Sequence, residues 1–327
     1  MRAAVCRSYG PPEAVRVEDV PQPVPGPGEV RVRVIAASLN FPDVLIVANQ
    51  YQVSAATPFV PGSEFAGVVE EIGEGVRDVV IGDVVAATVF VGAFAEQAVV
   101  AAEAIRRVPS GVDVRLAAAF GVAHRTAYHV LRSVARLQPG EQLVVLGAGG
   151  GVGLAAVQLG ALLGASVTAV ASSPEKLAVA ASYGAGNRID HRSVDLRQAL
   201  RECLPEGADV VVDPVGGALA EPALRALRRG GRFVTVGYAS GVIPRIPLNL
   251  VLLKGATVLG FEFRDFMLHA RDEFRRNEDE LMELLATQRA GPHIGAAFEL
   301  GEVAAALRLV AGGGAVGKVV LDIGRSG

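Results

Sequence analysis

The run Leu143-Val144-Val145-Leu146-Gly147-Ala148-Gly149-Gly150-Gly151-Val152-Gly153 is an apolar stretch that enters a cluster of glycines. A buried strand turning through glycines into a helix is suited to bind phosphate. Without side chains the backbone can approach a pyrophosphate, and the first N–H groups and positive end of the helix stabilise its charge. The strict G-x-G-x-x-G spacing is absent: the chain has Gly147-x-x-Gly150-x-x-Gly153, which close packing of a strand against a helix would also use. The context of one strand-turn-helix unit favours the phosphate reading, with Gly147, Gly149, Gly150, Gly151, Val152 and Gly153 as cofactor contacts.

About 20 residues beyond such glycines, NAD-binding units place a carboxylate at the end of the second strand to hold the ribose hydroxyls. This chain has Ala171-Ser172-Ser173-Pro174-Glu175-Lys176 there. The strand end carries small hydroxyls and a nearby cation, a set that receives a 2′-phosphate, so the expected cofactor is NADPH. Glu175, after Pro174, belongs to the first helical turn, where negative charge is favoured. The competing reading makes Ser172 or Ser173 a helix cap and Lys176 a solvated side chain.

These residues must be held by a large fold. The chain has 327 residues and 51% hydrophobic content, enough for two domains. Lys+Arg 31 against Asp+Glu 34 leaves a net charge of -3, which provides no drive towards nucleic acid or an anionic membrane. Cys6 and Cys203 supply neither a disulfide framework nor a metal cluster, as expected of the cytoplasm. The amino-terminal stretch lacks the layout of a signal peptide. The stretch from Glu141 to Glu175 has no charge inside it and is long enough for a membrane span, but its glycines and the absence of basic flanks fit a doubly covered α/β unit instead.

Up to about residue 110, short Val/Ile-rich runs (Val30 to Ile35, Phe65 to Ile72, Val79 to Val89) alternate with Pro/Gly turns, which predicts a β-rich, barrel-like domain. Val114 to Leu137 is helical in composition, interrupted at Gly121. Strand-like runs at Leu143 to Leu146, Val167 to Val170, Asp209 to Val212, Phe233 to Val236 and Val258 to Gly260 then alternate with helix-like segments. This pattern predicts a parallel, doubly wound sheet. Arg264 to Gln288 reads as an exposed helix whose charge run from Arg271 to Glu280 is a solvated face. Ile294 to Leu300, Glu302 to Val310 and Lys318 to Ile323 resemble the first half again. The fold class is α/β, with a β-rich domain of residues 1–118 and 264–327 around a nucleotide domain of residues 119–263.

Asn40-Phe41-Pro42-Asp43, Tyr51 and Pro58-Phe59-Val60-Pro61-Gly62-Ser63-Glu64-Phe65-Ala66-Gly67 resemble the zinc-free quinone oxidoreductases of the medium-chain dehydrogenase/reductase superfamily. The likeness continues through Thr126-Ala127-Tyr128-His129, the glycine turn, Val212-Asp213-Pro214-Val215-Gly216-Gly217, Val236-Gly237 and Gly317-Lys318-Val319-Val320. It implies a GroES-like catalytic domain built from both chain ends around a Rossmann domain, and a homodimer. It also implies that Asn40 and Tyr51 line the substrate side and donate hydrogen bonds to the acceptor oxygen. Thr126 would lie by the nicotinamide, Val215, Gly237 and Tyr238 would border the cofactor, and His191 would stand where relatives carry a tyrosine near the 2′-phosphate. Tyr51 as a packed aromatic and Asp43 as a helix cap are the alternatives. His124-Arg125 and Phe261-Glu262-Phe263-Arg264 depart from the residues expected near the nicotinamide.

Zinc-dependent members of the superfamily carry metal ligands at positions that here are Asn40, Ser63 and Val122, and His124, His129, His191, His269 and His293 show no zinc spacing. A simple ketone needs a Lewis acid to stabilise alkoxide charge, whereas a quinone or enone delocalises it, so the sequence favours conjugated carbonyls. The expected activity is NADPH-dependent reduction of a quinone or enone. An enoyl-thioester reductase is the enzymatic rival, and a non-catalytic NADPH-binding sensor or crystallin-like protein is the rival of another class.

Overall fold

The structure, a computed structural model, describes residues 1–324. The chain divides into two compact units, Met1–Val122 with the chain from Pro292 onward, and Ala123–Gly291.

The first unit is built on a mostly antiparallel sheet. Its strands lie in the order Ile294–Glu299, Lys318–Asp322, Glu29–Leu39, Glu64–Ile72, Val84–Thr88, Ile105–Arg107, and Gln97–Ala101 also pairs with Glu29–Leu39. Glu29–Leu39 alternates buried and half-buried residues over its first half, as a strand with one core face should. Val30, Val32, Val34, Phe65 and Phe94 form the centre of that core. Register sets the chemistry: Ser38 lies opposite both Val320 and Glu64, and Leu39 lies opposite Val319. Lys318, Asn40 and Glu64 therefore meet at one end of three neighbouring strands.

The second unit has a six-stranded parallel sheet in the order Ala185–Asp190, Ser166–Ala171, Gln142–Leu146, Ala208–Asp213, Leu227–Thr235, Thr257–Gly260. In the unit's own numbering this is 3-2-1-4-5-6, the doubly wound order. Leu143 to Leu146 are fully buried, which explains their unbroken apolar run. Among the described residues no helix is long and apolar enough to cross a membrane.

Several expectations are corrected. The second boundary falls at Gly291 instead of 263, because Arg125, Tyr128 and His129 bond Glu278, Glu280 and Asn277 and tie that helix to the second unit. The expected single helix is two, Phe263–His269 and Arg271–Ala286. Its charge run is not wholly solvated: Glu278 is buried against Arg125 and His129. Burial opposes ionisation of Glu278, but His129 and Arg125 together hold its carboxyl below the usual range. The helix Val114–His129 runs through Gly121 without a break. The strand Ala185–Asp190 escaped the sequence reading because AGNRID has no apolar run.

Candidate functional site

In the second unit, the strand Gln142–Leu146 ends at Gly147, whose φ of +62° only glycine adopts freely. The Gly150 N–H closes the turn on the Gly147 carbonyl at 2.9 Å, and Gly150 caps the helix Gly151–Leu162 without any side chain. A Cβ at Gly153 would stand 2.1 Å from the Gly147 oxygen, so the third glycine lets the helix sit on the strand. The unusual spacing thus serves the tight turn and the close packing together. The first-turn N–H groups of that helix have no intrahelical acceptors and form an anion cradle.

Beside the turn lies a cationic corner. Ser173 caps the helix Pro174–Ser182, its hydroxyl accepting from the Lys176 N–H at 3.3 Å. Capping was one of the two sequence alternatives, and for Ser173 it does not compete with anion binding, because the hydroxyl hydrogen is not used by the cap. Lys176 Nζ donates to the Ser172 hydroxyl at 3.4 Å, and its stem crosses the turn where a Gly149 Cβ would lie 2.5 Å away. Burial lowers the Lys176 pKa, and the nearby Arg192 charge lowers it further, against Glu175. His191 is pushed down by burial and by Arg192, with Asp190 opposing. Its N–H bonds the Ala171 carbonyl at 3.1 Å, fixing the third strand end beside the second. No sequence motif marks Arg192, the second residue after a strand that itself lacks an apolar run.

At the end of the fourth strand the buried Asp213 holds the turn. Its Oδ1 accepts the Val215 and Gly216 N–H groups at 2.8 Å each. Burial raises its pKa, and those two N–H groups pull it back. Val215 is thereby set against the glycine turn, since a Gly147 Cβ would meet Val215 Cγ2 at 2.6 Å. The Gly237 N–H reaches the Asp213 carbonyl at 3.4 Å, and Tyr238 stands against Gly216. Val215, Gly237 and Tyr238 are thus brought to the same strand ends as the glycines, while Thr126 lies half-buried in the helix Val114–His129.

The first unit holds a buried polar network. Asn40 Nδ2 donates to Glu64 Oε1 at 2.8 Å and to Ser63 Oγ at 3.2 Å, and its Oδ1 accepts from Lys318 Nζ at 2.5 Å. Lys318 also donates to Glu64 Oε1 at 2.8 Å and to the Leu39 carbonyl at 3.0 Å. Glu64 Oε2 takes the Val122 N–H at 2.7 Å, an approach open because Gly121 has no Cβ, which would stand 3.1 Å from that oxygen. Both amide hydrogens of Asn40 are engaged within the protein, so a bond from its amide to an acceptor oxygen would have to replace the one to Ser63 or to Glu64. Asp43 Oδ2 accepts the Asn40 N–H at 2.7 Å and caps the helix Phe41–Val47. Burial pushes its carboxyl up to about 7, against the Asn40 N–H, the Ser63 hydroxyl and the Lys318 charge. Tyr51 packs half-buried against the unit's apolar core. Nothing local in the sequence marks Glu64 and Lys318 as partners, because their pairing joins residues 254 positions apart.

Two family models match, an alcohol dehydrogenase GroES-like domain over residues 26–110 and a zinc-binding dehydrogenase domain over residues 151–285. Quinone oxidoreductase-like protein 2 of Bos taurus is 36% identical over 324 residues, covering 98% of this chain and 92% of its own. The crystal structures of the quinone oxidoreductase from Thermus thermophilus and its complex with NADPH give a TM-score of 0.86 at 33% identity, covering 98% of this chain and 100% of that one. The Escherichia coli quinone oxidoreductase complexed with NADPH gives 0.91 at 26%, with coverage of 98% and 100%. The architecture is accordingly a GroES-like domain with a Rossmann domain.

Zinc does not fit the residues present. Asn40 and Val122 bond Glu64, Ser63 bonds Asn40, and the cation already seated among them is the Lys318 ammonium. A dication would have to enter beside that charge, where Glu64 is already engaged by the ammonium, the Asn40 amide and the Val122 N–H, and Asp43 by the Asn40 N–H. Among the described residues no group of three His, Cys, Asp or Glu could ligate a metal.

Proposed function

Because the chain belongs to the zinc-free quinone oxidoreductase family of the medium-chain dehydrogenase/reductase superfamily, we propose that it is an NADPH-dependent reductase of quinones and similar conjugated carbonyls, active without zinc, as a cytoplasmic homodimer. When bound, NADPH supplies hydride. The glycine turn and the helix Gly151–Leu162 hold its pyrophosphate. Ser172, Ser173, Lys176, His191 and Arg192 hold the 2′-phosphate, and Thr126, Val215, Gly237 and Tyr238 border the rest. Asn40 and Tyr51 belong to the substrate side, Tyr51 as a hydroxyl donor and Asn40 by ordering the network around Ser63.

The observation that carries the choice of acceptor is the Lys318–Glu64 pair. With an ammonium sequestered where a metal would be needed, hydrogen bonds alone must meet the developing charge, and a conjugated acceptor spreads that charge. The test is steady-state NADPH oxidation against quinones, enones, simple ketones and enoyl thioesters, with and without chelator. Quinones or enones turn over at rates that chelation does not change. Turnover confined to ketones and lost with EDTA would overturn the reading, and turnover confined to enoyl thioesters would assign the rival activity.

Support for the dimer comes from the edge strand Thr257–Gly260, which among the described residues pairs only with Leu227–Thr235. Val258 is exposed on it, and Leu248, Leu252 and Leu253 are exposed in the neighbouring sequence. A second copy presenting the same edge satisfies the open backbone groups and covers these side chains in a self-complementary contact. Light scattering after size exclusion gives the dimer mass for the parent protein and the monomer mass for Leu252→Lys. A monomeric parent removes the assignment.

A further inference from the structure

The network around Lys318 commits nearly all of its hydrogens. The ammonium donates three bonds, to Leu39 O, Asn40 Oδ1 and Glu64 Oε1, and the Asn40 amide donates two, to Glu64 Oε1 and Ser63 Oγ. The Ser63 hydroxyl accepts in this chain, and its own hydrogen, which rests on the Asp43 carboxyl, is the one that a hydroxyl rotation can turn to another acceptor. Exposure rises in the same direction, from Glu64 at 1% and Lys318 at 3% to Asn40 at 7% and Ser63 at 9%. The polarity of a buried ion pair is thus passed along the chain towards its most exposed member, Ser63.

We propose that Ser63 Oγ is a catalytic hydrogen-bond donor to the acceptor oxygen, and that Lys318 and Glu64 are positioning residues that aim it through the Asn40 amide. This rests on the reading of the protein as a reductase of conjugated carbonyls. Negative charge develops on the acceptor oxygen as hydride arrives, and a donor whose oxygen is already fixed stabilises it at the cost of one hydroxyl rotation. At rest the hydroxyl hydrogen leans on Asp43, whose carboxyl Ser63 pulls towards ionisation. It rotates from there to the incoming oxygen. No covalent bond changes at Ser63. The Asn40 amide fixes the hydroxyl oxygen from behind, and polarisation along such a chain strengthens its last donor. Lys318 locks the amide by taking its oxygen, so the amide cannot flip and turn a carbonyl towards Ser63.

The test uses the full-length protein with NADPH and a quinone it accepts. Ser63→Ala lowers kcat about tenfold, less than a full oxyanion donor because the charge is spread. Its NADPH Kd stays parental, while its melting temperature falls modestly because the Asn40 amide loses its acceptor at Ser63. Lys318→Met together with Glu64→Gln keeps neutral, hydrogen-bonding groups in the core, and lowers kcat by a similar factor. In a Ser63→Ala background the same pair lowers kcat no further, although it still shifts the melting temperature, because positioning residues act only through the group they position. Parental kcat in Ser63→Ala overturns the proposal. So does an equal kcat loss from the Lys318/Glu64 pair with and without the Ser63 hydroxyl, which would mark that pair as structural. A parent protein that turns over no quinone or enone fails earlier and removes the reading beneath it.

Discussion

Lys318→Met destabilises the first unit by about 3–5 kcal/mol, the usual cost of leaving one charge of a buried pair without its partner. Lys318 and Glu64 are 3% and 1% exposed, and the ammonium lies 2.8 Å from Glu64 Oε1. After the substitution Glu64 keeps the Asn40 amide and the Val122 N–H, two neutral donors for a carboxylate cut off from water. For a unit of this size the melting temperature falls by roughly 6–20 °C. Replacing both partners, Lys318→Met with Glu64→Gln, recovers part of the loss, since no uncompensated charge is left, although the glutamine carbonyl accepts only one of those two donors. Calorimetry of the parent, the single and the double variant decides it. A single variant as stable as the parent would mean the pair is open to water, and a double no better than the single would mean the loss is of packing.

The second large effect concerns the cofactor. The parent protein binds NADPH more tightly than NADH, and Lys176→Ala and Arg192→Ala each erode that preference by about 1–3 kcal/mol, the scale of one charge-assisted contact. The geometry gives the reason. Burial and mutual repulsion lower the Lys176 pKa, and Arg192 stands close enough to contribute. Two cations that repel one another are relieved by a dianion placed between them. The double variant binds both cofactors alike. NADH affinity changes little in any variant, which separates loss of the 2′-phosphate contact from loss of the fold. Fluorescence titrations with both cofactors measure it. Equal affinities in the parent would leave Ser173 a helix cap and Lys176 a packed stem over Gly149.

Much of this was legible in sequence where chemistry and structure are local. The apolar run into Gly147 through Gly153 states a strand, a turn and a helix within a dozen residues, because backbone conformation there depends on side chains that are absent. The lack of a carboxylate after Ala171 is equally local. So is Asp43, three residues from the Asn40 N–H it caps.

What only the tertiary structure decided depends on register and on residues far apart in the chain. Asn40 was expected to donate to substrate, and a sequence cannot say that strand pairing sets Lys318 and Glu64 on either side of it. Arg192 became a cofactor candidate once the third strand, AGNRID, was seen beside the second, which hydrogen bonds hold without any apolar run. The charged helix Arg271–Ala286 shows the same division: its spacing states a helix, but only packing shows that Glu278 turns inward to Arg125 and His129. Charge patterns report local pairing, whereas burial of a charge is settled by whichever partner the fold delivers to it.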